Sequence, residues 1–354
     1  MNGPESVREE GKKMGHYQPL EIVKYQHGYE ADFSIEAEYK QRLESAAAVV
    51  TVLHPLLDCK RGGKQSKQYP LFFVDTPEVV SLAGRFSRNS QEIQKVSRKL
   101  PQTAVSQFLD SLLLDEIINT NSIEGIEVDP AEVSKSIDAH SKAQGGRFWP
   151  TVCMYRGKLP KIKSLQDFRN IYDELLKGEI PADKQPNGQL FRDELPNGLL
   201  RIGTATKTVH VPPVSELAVS EALSSLLAFM NADDLPPIYQ ALITHFFFEN
   251  THPFLDGNGR MGRYLLSTYL SGKYDRFTGF SVATAIHARI SSYYRIFKEA
   301  DKAENRAELT FFIEKMLRML TEQQEQVLEA LRLKAPGQAG CPNAAQPAGI
   351  GADS

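Results

Sequence analysis

The sequence predicts a mainly α-helical protein with one small β-hairpin. Apolar residues recur at three- and four-residue spacing through most of the chain, for example at Val105, Phe108, Leu109 and Leu112. This periodicity is typical of amphipathic helices. Alternation of apolar and polar residues is confined to short stretches such as 207–211. With 354 residues, of which 41% are hydrophobic, the chain can bury a large core in two packed units.

Composition excludes several classes of partner. The formal net charge is −3, so no overall basic field points to nucleic acid. The N-terminal residues are charged and no apolar h-region follows them, so we expect no secretion signal. No apolar run approaches the roughly 20 residues of a membrane span. Cys59, Cys153 and Cys341 are far apart and odd in number, which favours free thiols in the cytoplasm.

The first hundred residues predict an arm followed by helices. Residues 1–33 are largely polar, and we expect them to form a flexible arm. Helical spacing predicts helices over 34–57 and 77–100, whereas the apolar segment 71–74 predicts a short strand or a buried extended piece.

A further helix is predicted over 101–124, with Gly125 as its stop. Glu124 would lie at the C-terminus of this helix, where the helix dipole disfavours a negative charge. Its carboxylate therefore calls for a positive partner elsewhere in the chain.

The middle of the chain predicts helices joined by proline- and glycine-rich connections. We expect helices over 126–144, 165–176, 215–231 and 236–250. Residues 147–163 and 180–198 are predicted to be irregular. Residues 200–203 and 207–213 predict two short strands joined by a turn.

Helices also dominate the last third. They are predicted from Gly259 onward, over 282–300 and over 309–333. Residues 334–354 are rich in Ala, Gly and Pro and lack a core pattern, so we expect them to be disordered.

The densest chemistry lies in residues 252–263, His-Pro-Phe-Leu-Asp-Gly-Asn-Gly-Arg-Met-Gly-Arg. The helix before this stretch ends at His252, because the residue before a proline is pushed out of the α region. The glycines of the turn tolerate positive φ and let a ligand approach the backbone. A second helix follows, and free N–H groups at a helix N-terminus bind anions.

Four side chains add to this anion site. Arg260 and Arg263 share a helix face, and two guanidiniums beside free N–H groups suit a polyphosphate better than a lone carboxylate. Asp256 is placed to hold a hard cation such as Mg²⁺. His252 has an ordinary pKa near neutrality, so it can take a proton from a hydroxyl.

Each feature also has a purely structural explanation. A histidine before proline is usually a helix-end residue, Gly-Asn-Gly is usually a tight turn, and two such arginines usually form a solvated face. Their coincidence within one short stretch favours a functional site. A phosphate loop of the Walker type is excluded, because no Gly-Lys-Ser/Thr follows the turn.

The stretch resembles the signature of the Fic (filamentation induced by cAMP) family, His-x-Phe-x-Asp/Glu-Gly-Asn-Gly-Arg-x-x-Arg, at every defined position. The resemblance implies the Fic fold, a helical bundle core with a small β-hairpin flap and a helical N-terminal region. It spans about residues 34–331. Family members mostly move AMP from ATP to a protein hydroxyl and release pyrophosphate. Relatives that phosphorylate instead have lost the second glycine of the motif, whereas this chain keeps Gly259.

The resemblance implies a phosphate cradle built from the end of the motif. Asn258, with the backbone of Gly257 and Gly259, would hold the α- and β-phosphates of ATP. Arg260 would support the same region, and Arg263 would bind the γ-phosphate.

It also implies the base, the metal ligand and an adenine contact. His252 would be the general base on a Ser, Thr or Tyr hydroxyl, and Asp256 would hold Mg²⁺. Relatives often carry Asn-x-x-x-Tyr-Tyr near the adenine. Here Tyr293 and Tyr294 match, and Arg289 stands at the Asn position. Tyr294 is therefore carried over as an adenine contact, with a core tyrosine as the alternative.

Residues 120–125 resemble the end of the inhibitory helix of many Fic proteins, Ser/Thr-x-x-x-Glu-Gly/Asn. Thr120, Glu124 and Gly125 occupy its defined positions. The resemblance implies that a helix at about 104–125 is inhibitory. Glu124 would reach Arg263 and keep it from the γ-phosphate of ATP.

The predicted hairpin, about 200–213, resembles the flap of Fic proteins. A flap pairs with the target segment and registers its hydroxyl against the catalytic histidine. Val209, His210 and Val211 would belong to this flap; a simple surface hairpin is the alternative.

These assignments divide the chain into four parts. They are the arm (1–33), the N-terminal helical region (34–145), the catalytic domain (146–333) and the tail (334–354).

Three functions are compatible with the sequence. The first is a self-inhibited protein adenylyltransferase that uses ATP and Mg²⁺ to modify a target protein or itself. The second is removal of AMP from a modified protein, with Glu124 orienting a water molecule. The third is a non-catalytic module that binds a nucleotide or a phosphorylated partner; His252 argues against it, since binding phosphate needs no base. We expect a bacterial, cytoplasmic protein without nucleic-acid or membrane partners, and a homodimer is compatible with each function.

Overall fold

The computed structural model describes residues 17–30, 32–57, 68–195, 200, 202–204, 207–232 and 234–334, with the backbone alone for 203, 204 and 207–209. It is mainly helical, as predicted. The helices, numbered α1 to α15 in chain order, are Leu20–His27, Ile35–Leu43, Pro77–Ser97, Gln102–Ile123, Pro130–Asp138, Lys142–Gly145, Trp149–Arg156, Leu165–Leu175, Glu216–Met230, Pro237–Thr251, Asn258–Lys273, Arg276–Gly279, Val282–His287, Ile290–Ala300 and Thr310–Lys334. The strands, numbered β1 to β4, are Ala48–Val50, Phe72–Val74, Ile202–Thr204 and Lys207–His210.

Helix α10 lies at the centre of the core. Its sequence is apolar on all sides and nearly all of its residues are buried, as expected of a helix enclosed by others. Helices α9, α11 and α15 pack against it. The two helices that flank residues 252–257 are therefore held by the core, and the loop between them is fixed at both ends.

Two antiparallel strand pairs accompany the helices. Strand β1 pairs with β2, with Val49 opposite Phe73. Strand β3 pairs with β4 in the predicted hairpin, and the register shifts between Ile202 and Gly203.

The N-terminal part differs from the prediction. Residues 34–57 do not form one helix, because α2 ends at Leu43 and the chain continues into β1. The small apolar residues after α2 instead lead into strand β1, which pairs with β2. The arm predicted over 1–33 contains α1, whose Leu20 is fully buried; residues 1–16 lie outside the described residues.

Three other boundaries are corrected. The helix predicted over 126–144 is split into α5 and α6, since the chain turns extended at Ala139. The segment 147–163, predicted to be irregular, contains α7, whose first turn accommodates Pro150. The helix predicted over 282–300 is interrupted at Arg289, which caps α14.

Two further expectations concern membranes and thiols. None of the described helices is both long enough and apolar enough to cross a membrane. Cys153 is a free, exposed thiol. Cys59, Cys341 and the tail beyond Lys334 lie outside the described residues.

The N-terminal segment is joined to the core by a buried ion pair. The carboxylate of Glu308 accepts hydrogen bonds from Arg42 Nη1 (3.0 Å), Tyr17 Oη (2.7 Å) and Thr310 Oγ1 (2.7 Å). Glu308 and Arg42 are only 2% and 6% exposed. Removing Glu308 would leave the buried Arg42 with the partly exposed Glu38 (2.8 Å) as its remaining carboxylate and would remove the acceptor of Tyr17 Oη.

We therefore expect Glu308→Ala to lower the free energy of unfolding by about 3–5 kcal/mol, measured by urea denaturation. The control is Glu78→Ala, which removes the exposed partner of Arg318 and should lower it by less than about 1 kcal/mol. Equal effects of the two substitutions would contradict this account of the N-terminal segment.

Candidate active site

His252 ends helix α10 and begins the loop of the motif. Its N–H donates to the carbonyl of Phe248 (2.9 Å), and its backbone is left-handed, with φ of 48°. The residue before Pro253 thus leaves the right-handed α region, as predicted. A left-handed non-glycine residue is strained by about 1–3 kcal/mol and persists only where its surroundings hold it.

Asn258 closes the loop from inside. Its side chain accepts from the N–H of Phe254 (2.9 Å) and donates to the carbonyl of the same residue (2.8 Å). The side chain is 1% exposed, and its amide oxygen and nitrogen both contact the backbone of Phe254. Phe254 is fully buried and stacks on Tyr172 at 3.7 Å between ring centroids, which holds the loop against α8.

The N-terminus of α11 forms the anion site of the loop. Gly257 has φ of 78°, a left-handed conformation that favours glycine, and the side chain of Leu176 packs against it. The first N–H groups of a helix lack intrahelical acceptors. The backbone from Asn258 to Arg260 therefore offers donors to an anion, with the positive end of the helix dipole behind them.

Arg263 lies beneath this turn and contacts the helix predicted to be inhibitory. Its guanidinium donates to Thr120 Oγ1 (2.8 Å), the Thr120 carbonyl (2.9 Å) and Glu124 Oε1 (2.7 Å). Arg263 is 1% exposed, whereas Glu124 is 33% exposed. Burial disfavours the charge of Arg263, but Glu124 outweighs it and raises the pKa of the guanidinium above its usual range. The contact expected between Glu124 and Arg263 is thus present.

The end of α4 explains why Glu124 reaches this point. The N–H of Gly125 bonds to the carbonyl of Ser122 and the N–H of Ile126 to that of Asn121, both at 3.0 Å. Gly125 has φ of 72°, and the pattern is a Schellman motif. The helix therefore stops with Glu124 at its cap, and the side chain lies over the neighbouring helix end.

Arg260 has a carboxylate partner that the sequence did not reveal. Its Nη1 donates to Glu179 Oε2 (2.9 Å), and the two side chains are 4% and 3% exposed. Burial raises the pKa of Glu179, against the opposing effect of Arg260 and Arg147. Arg260 is thus a buried residue of the site, and the carboxylate of Glu179 holds its guanidinium in place.

Two further buried carboxyls surround Arg263. Burial raises the pKa of Glu116 and of Glu249 to about 8, against the positive charge of Arg263. Both carboxyls are therefore protonated at neutral pH. Glu124 remains as the carboxylate that pairs with Arg263.

The imidazole of His252 is neutral at physiological pH. Burial lowers the pKa of His252 to about 3, and Arg192 and His210 act in the same direction. The backbone of Glu249 acts in the opposite direction and raises the pKa of His252. A neutral imidazole has one ring nitrogen without a proton, which can act as an acceptor.

The hairpin predicted as a flap is present, but His210 does not extend from it. Its Nε2 contacts the Asn250 carbonyl (2.7 Å), and its Nδ1 lies 3.4 Å from Asp301 Oδ2. At 5% exposed, the side chain anchors the end of β4 to the core. The side chain of Val209 lies outside the description, and Val211 follows β4.

Tyr294 lies at the same end of α4 as Glu124. Its Oη donates to the Ile123 carbonyl (2.9 Å), and the residue is 51% exposed. It is not the core tyrosine of the alternative prediction. The ring is exposed beside the anion site.

Asp256 directly precedes Gly257, the N-cap residue of α11. One of its oxygens accepts from the N–H of Gly257 (2.5 Å) and lies 3.9 Å from Arg260 Nη2, while the side chain is 44% exposed. Among the described residues, no group of three or more His, Cys, Asp or Glu could hold a metal ion. A single exposed carboxylate fits Mg²⁺, which is commonly held by one or two carboxylates together with substrate phosphates.

A separate cavity of about 370 Å³ lies on the other side of α11. It is lined by residues of α10, α11 and the segment 159–163, and it touches the motif at Gly262. This cavity is separate from the N-terminal turn of α11, which the carboxylate of Glu124 covers. A Cβ on Gly259 would stand 2.1 Å from Glu124 Oε1.

Sequence reasoning missed Arg192 and Glu179, which support the site from behind. Arg192 lies in a stretch rich in Pro, Asn and Gly, and Glu179 follows a predicted helix end. Charged residues in such places are usually solvated. No local pattern distinguishes these two residues, because their partners in the motif, His252 and Arg260, are more than fifty positions away.

Parts of this sequence match two known family models and a known protein. Residues 163–270 match the model of the Fic/DOC family, and residues 64–141 match a domain of unknown function, DUF4172. The first match contains the motif, and the second contains α4. A probable protein adenylyltransferase from Aquifex aeolicus (strain VF5) is 24% identical over 177 residues, which are 48% of this chain and 51% of that protein. The chain thus matches about half the length of this relative.

A solved structure shares the fold. The crystal structure of a Fic family protein from Desulfovibrio desulfuricans G20 superposes with a TM-score of 0.57. The identity is 21%, and the match covers 72% of this chain and 75% of that one. Residues 163–270 therefore resemble a Fic domain, and the chain shares the fold of a Fic family protein.

Proposed function

We propose that this protein is an adenylyltransferase that moves AMP from ATP to a hydroxyl of a protein, and that Glu124 holds it inactive. The observation that carries the proposal is the position of the Glu124 carboxylate. It covers the N-terminal turn of α11 and pairs with Arg263, the two features best suited to ATP phosphates. The name of the Aquifex aeolicus relative supports the same activity.

The chemistry follows from the groups around the loop. ATP phosphates would bind the free N–H groups of α11, and Arg263 would bind the γ-phosphate once Glu124 withdraws. Asp256 would hold Mg²⁺, which when bound neutralises charge on the phosphates. The target hydroxyl oxygen attacks the α-phosphorus while its proton passes to the neutral imidazole of His252. The bond from the α-phosphorus to the bridging oxygen breaks, and pyrophosphate leaves.

The magnitude of inhibition can be bounded. A hydrogen bond to a charged group contributes about 1.5–3 kcal/mol, which is roughly 10- to 150-fold in an equilibrium. The contact of Glu124 with Arg263 alone would give repression of that order. Electrostatic exclusion of the γ-phosphate by the same carboxylate would add to it.

Removal of AMP from a modified protein is a second candidate. It is favoured by the partly exposed carboxylate of Glu124 at the anion site, since such a group can orient a water molecule. The test is to offer target protein carrying labelled AMP to the wild type and to Glu124→Gly. Loss of label with the wild type alone would support this second activity, and equal retention would exclude it.

Replacing Glu124 should activate transfer. We expect Glu124→Gly to raise the incorporation of labelled AMP from ATP into lysate proteins, or into the enzyme itself, by roughly 10- to 150-fold. The added mass on modified peptides should be that of AMP. The matched control is Glu127→Gly, an exposed glutamate three residues later, which should label as weakly as the wild type. Equal labelling by wild type and Glu124→Gly would contradict self-inhibition.

Replacing His252 should abolish the activated reaction. In the Glu124→Gly background, His252→Ala should lower the transfer rate by about 10²- to 10⁴-fold, because a general base is lost. ATP binding should persist, since the imidazole does not contact the anion site. His140→Ala, at an exposed histidine, is the control. Full activity without His252 would exclude its role as the base.

A further inference from the structure

Arg192 has a buried guanidinium whose hydrogen bonds, within the part of the chain that the structure describes, go to backbone carbonyls. Its Nε donates to the His252 carbonyl (2.6 Å), Nη2 to that of Thr251 (3.2 Å) and Nη1 to that of Pro213 (2.6 Å). Its own N–H donates to the Pro253 carbonyl (3.0 Å). Arg192 is 1% exposed, and burial lowers its pKa to about 10.

The carbonyls of Thr251 and His252 belong to the strained end of α10. The last carbonyls of a helix have no intrahelical donor, and the left-handed His252 turns the chain away from the helix. A planar guanidinium can reach several acceptors in fixed directions at once, which an ammonium cannot do. Arg192 thereby supplies the donors that stabilise the left-handed conformation.

The same guanidinium reaches the end of the flap. Pro213 lies three residues after β4. The guanidinium of Arg192 donates both to the Pro213 carbonyl and to the His252 carbonyl. His210, at the end of β4, bonds to the Asn250 carbonyl. The flap is thus joined to the end of α10 and to the loop of His252 at two points, by the side chains of Arg192 and His210, which bond to backbone carbonyls.

Arg192 is itself held in place by its neighbours. The carboxylate of Glu216 accepts from the N–H groups of Gln189 (2.9 Å), Leu190 (2.5 Å) and Phe191 (2.9 Å). Phe191 packs edge-on against Phe254, with ring centroids 5.7 Å apart. The segment before Arg192 is therefore fixed to both α9 and the loop.

We propose that Arg192 is a positioning residue that fixes the imidazole of His252 relative to the flap. The base then lies within reach of a target hydroxyl that the flap holds. The claim about transfer rests on the proposed function; the claim about His252 does not. Arg192 touches the backbone of His252 and no reacting atom, so it acts through that residue. Arg192 also adds a positive charge near the ring, and His210, Asp301 and the backbone of Glu249 are the other polar groups in that region.

Two substitutions separate geometry from charge. Arg192→Lys keeps the charge but cannot bridge three carbonyls, and Arg192→Met removes both. Arg192→Gln, which keeps a single neutral donor, serves where Arg192→Met does not fold. Arg169→Met is the matched control: Arg169 donates to the Gln189 and Leu190 carbonyls of the same segment (3.5 and 3.2 Å). It does not reach the loop of His252.

The first readout is the pKa of His252, measured by NMR on histidine-labelled protein. Arg192→Met should raise the pKa of His252 from about 3 by about one unit or more, because a nearby positive charge is lost. Arg192→Lys should raise it less, and Arg169→Met should leave it unchanged. An unchanged pKa in folded Arg192→Met and Arg192→Gln would overturn the proposal.

The second readout is the transfer rate in the Glu124→Gly background at saturating ATP and target. Each Arg192 variant should lose about 10²-fold, the scale of a misplaced catalytic group, with the Kd for ATP unchanged. Variants that match the Arg169→Met control in rate, or that lose rate and ATP affinity in parallel, would overturn the proposal. If the Glu124→Gly parent transfers no AMP, the proposed function fails, and the titration of His252 still decides the role of Arg192.

Discussion

The ion pair between the buried guanidinium of Arg263 and the carboxylate of Glu124 is the interaction on which the rest of the site depends. Arg263 is enclosed by the core, where an unpaired charge is costly. The nearby carboxyls of Glu116 and Glu249 are protonated at neutral pH. Glu124 is the carboxylate that contacts Arg263, and under the proposed function a phosphate of ATP would take its place. The Schellman motif at Gly125 matters because it delivers that carboxylate.

The side chains around Arg263 form two groups. One group is buried and holds the loop in shape, and the other is partly exposed at the surface of the site. Asn258, Glu179 and Arg192 lie inside and fix backbone or guanidinium positions. Asp256 and Glu124 are partly exposed. Catalysis by prepositioned groups requires both sets, because the outer groups are only as well placed as the buried ones hold them.

The sequence predicts those parts of the molecule whose cause is local. The helices flanking the motif, the stop at Gly125 and the hairpin all follow from spacing and from glycine or proline chemistry. The strand β1 was missed because a short apolar run has no period that separates strand from helix, and its partner β2 lies more than twenty residues away. The same limit applies to His210, Asn258 and Arg192. Their side chains turn inward to carbonyls or amides that only the tertiary fold brings near.

The central claim is that Glu124 and the γ-phosphate of ATP compete for Arg263. Calorimetric titration of wild type and Glu124→Gly with ATP and with AMP, each with Mg²⁺, tests it most directly. Removal of Glu124 should lower the Kd for ATP by at least about tenfold. It should change the Kd for AMP little, because AMP carries no γ-phosphate. Equal changes for the two nucleotides, or no change for ATP, would contradict the claim.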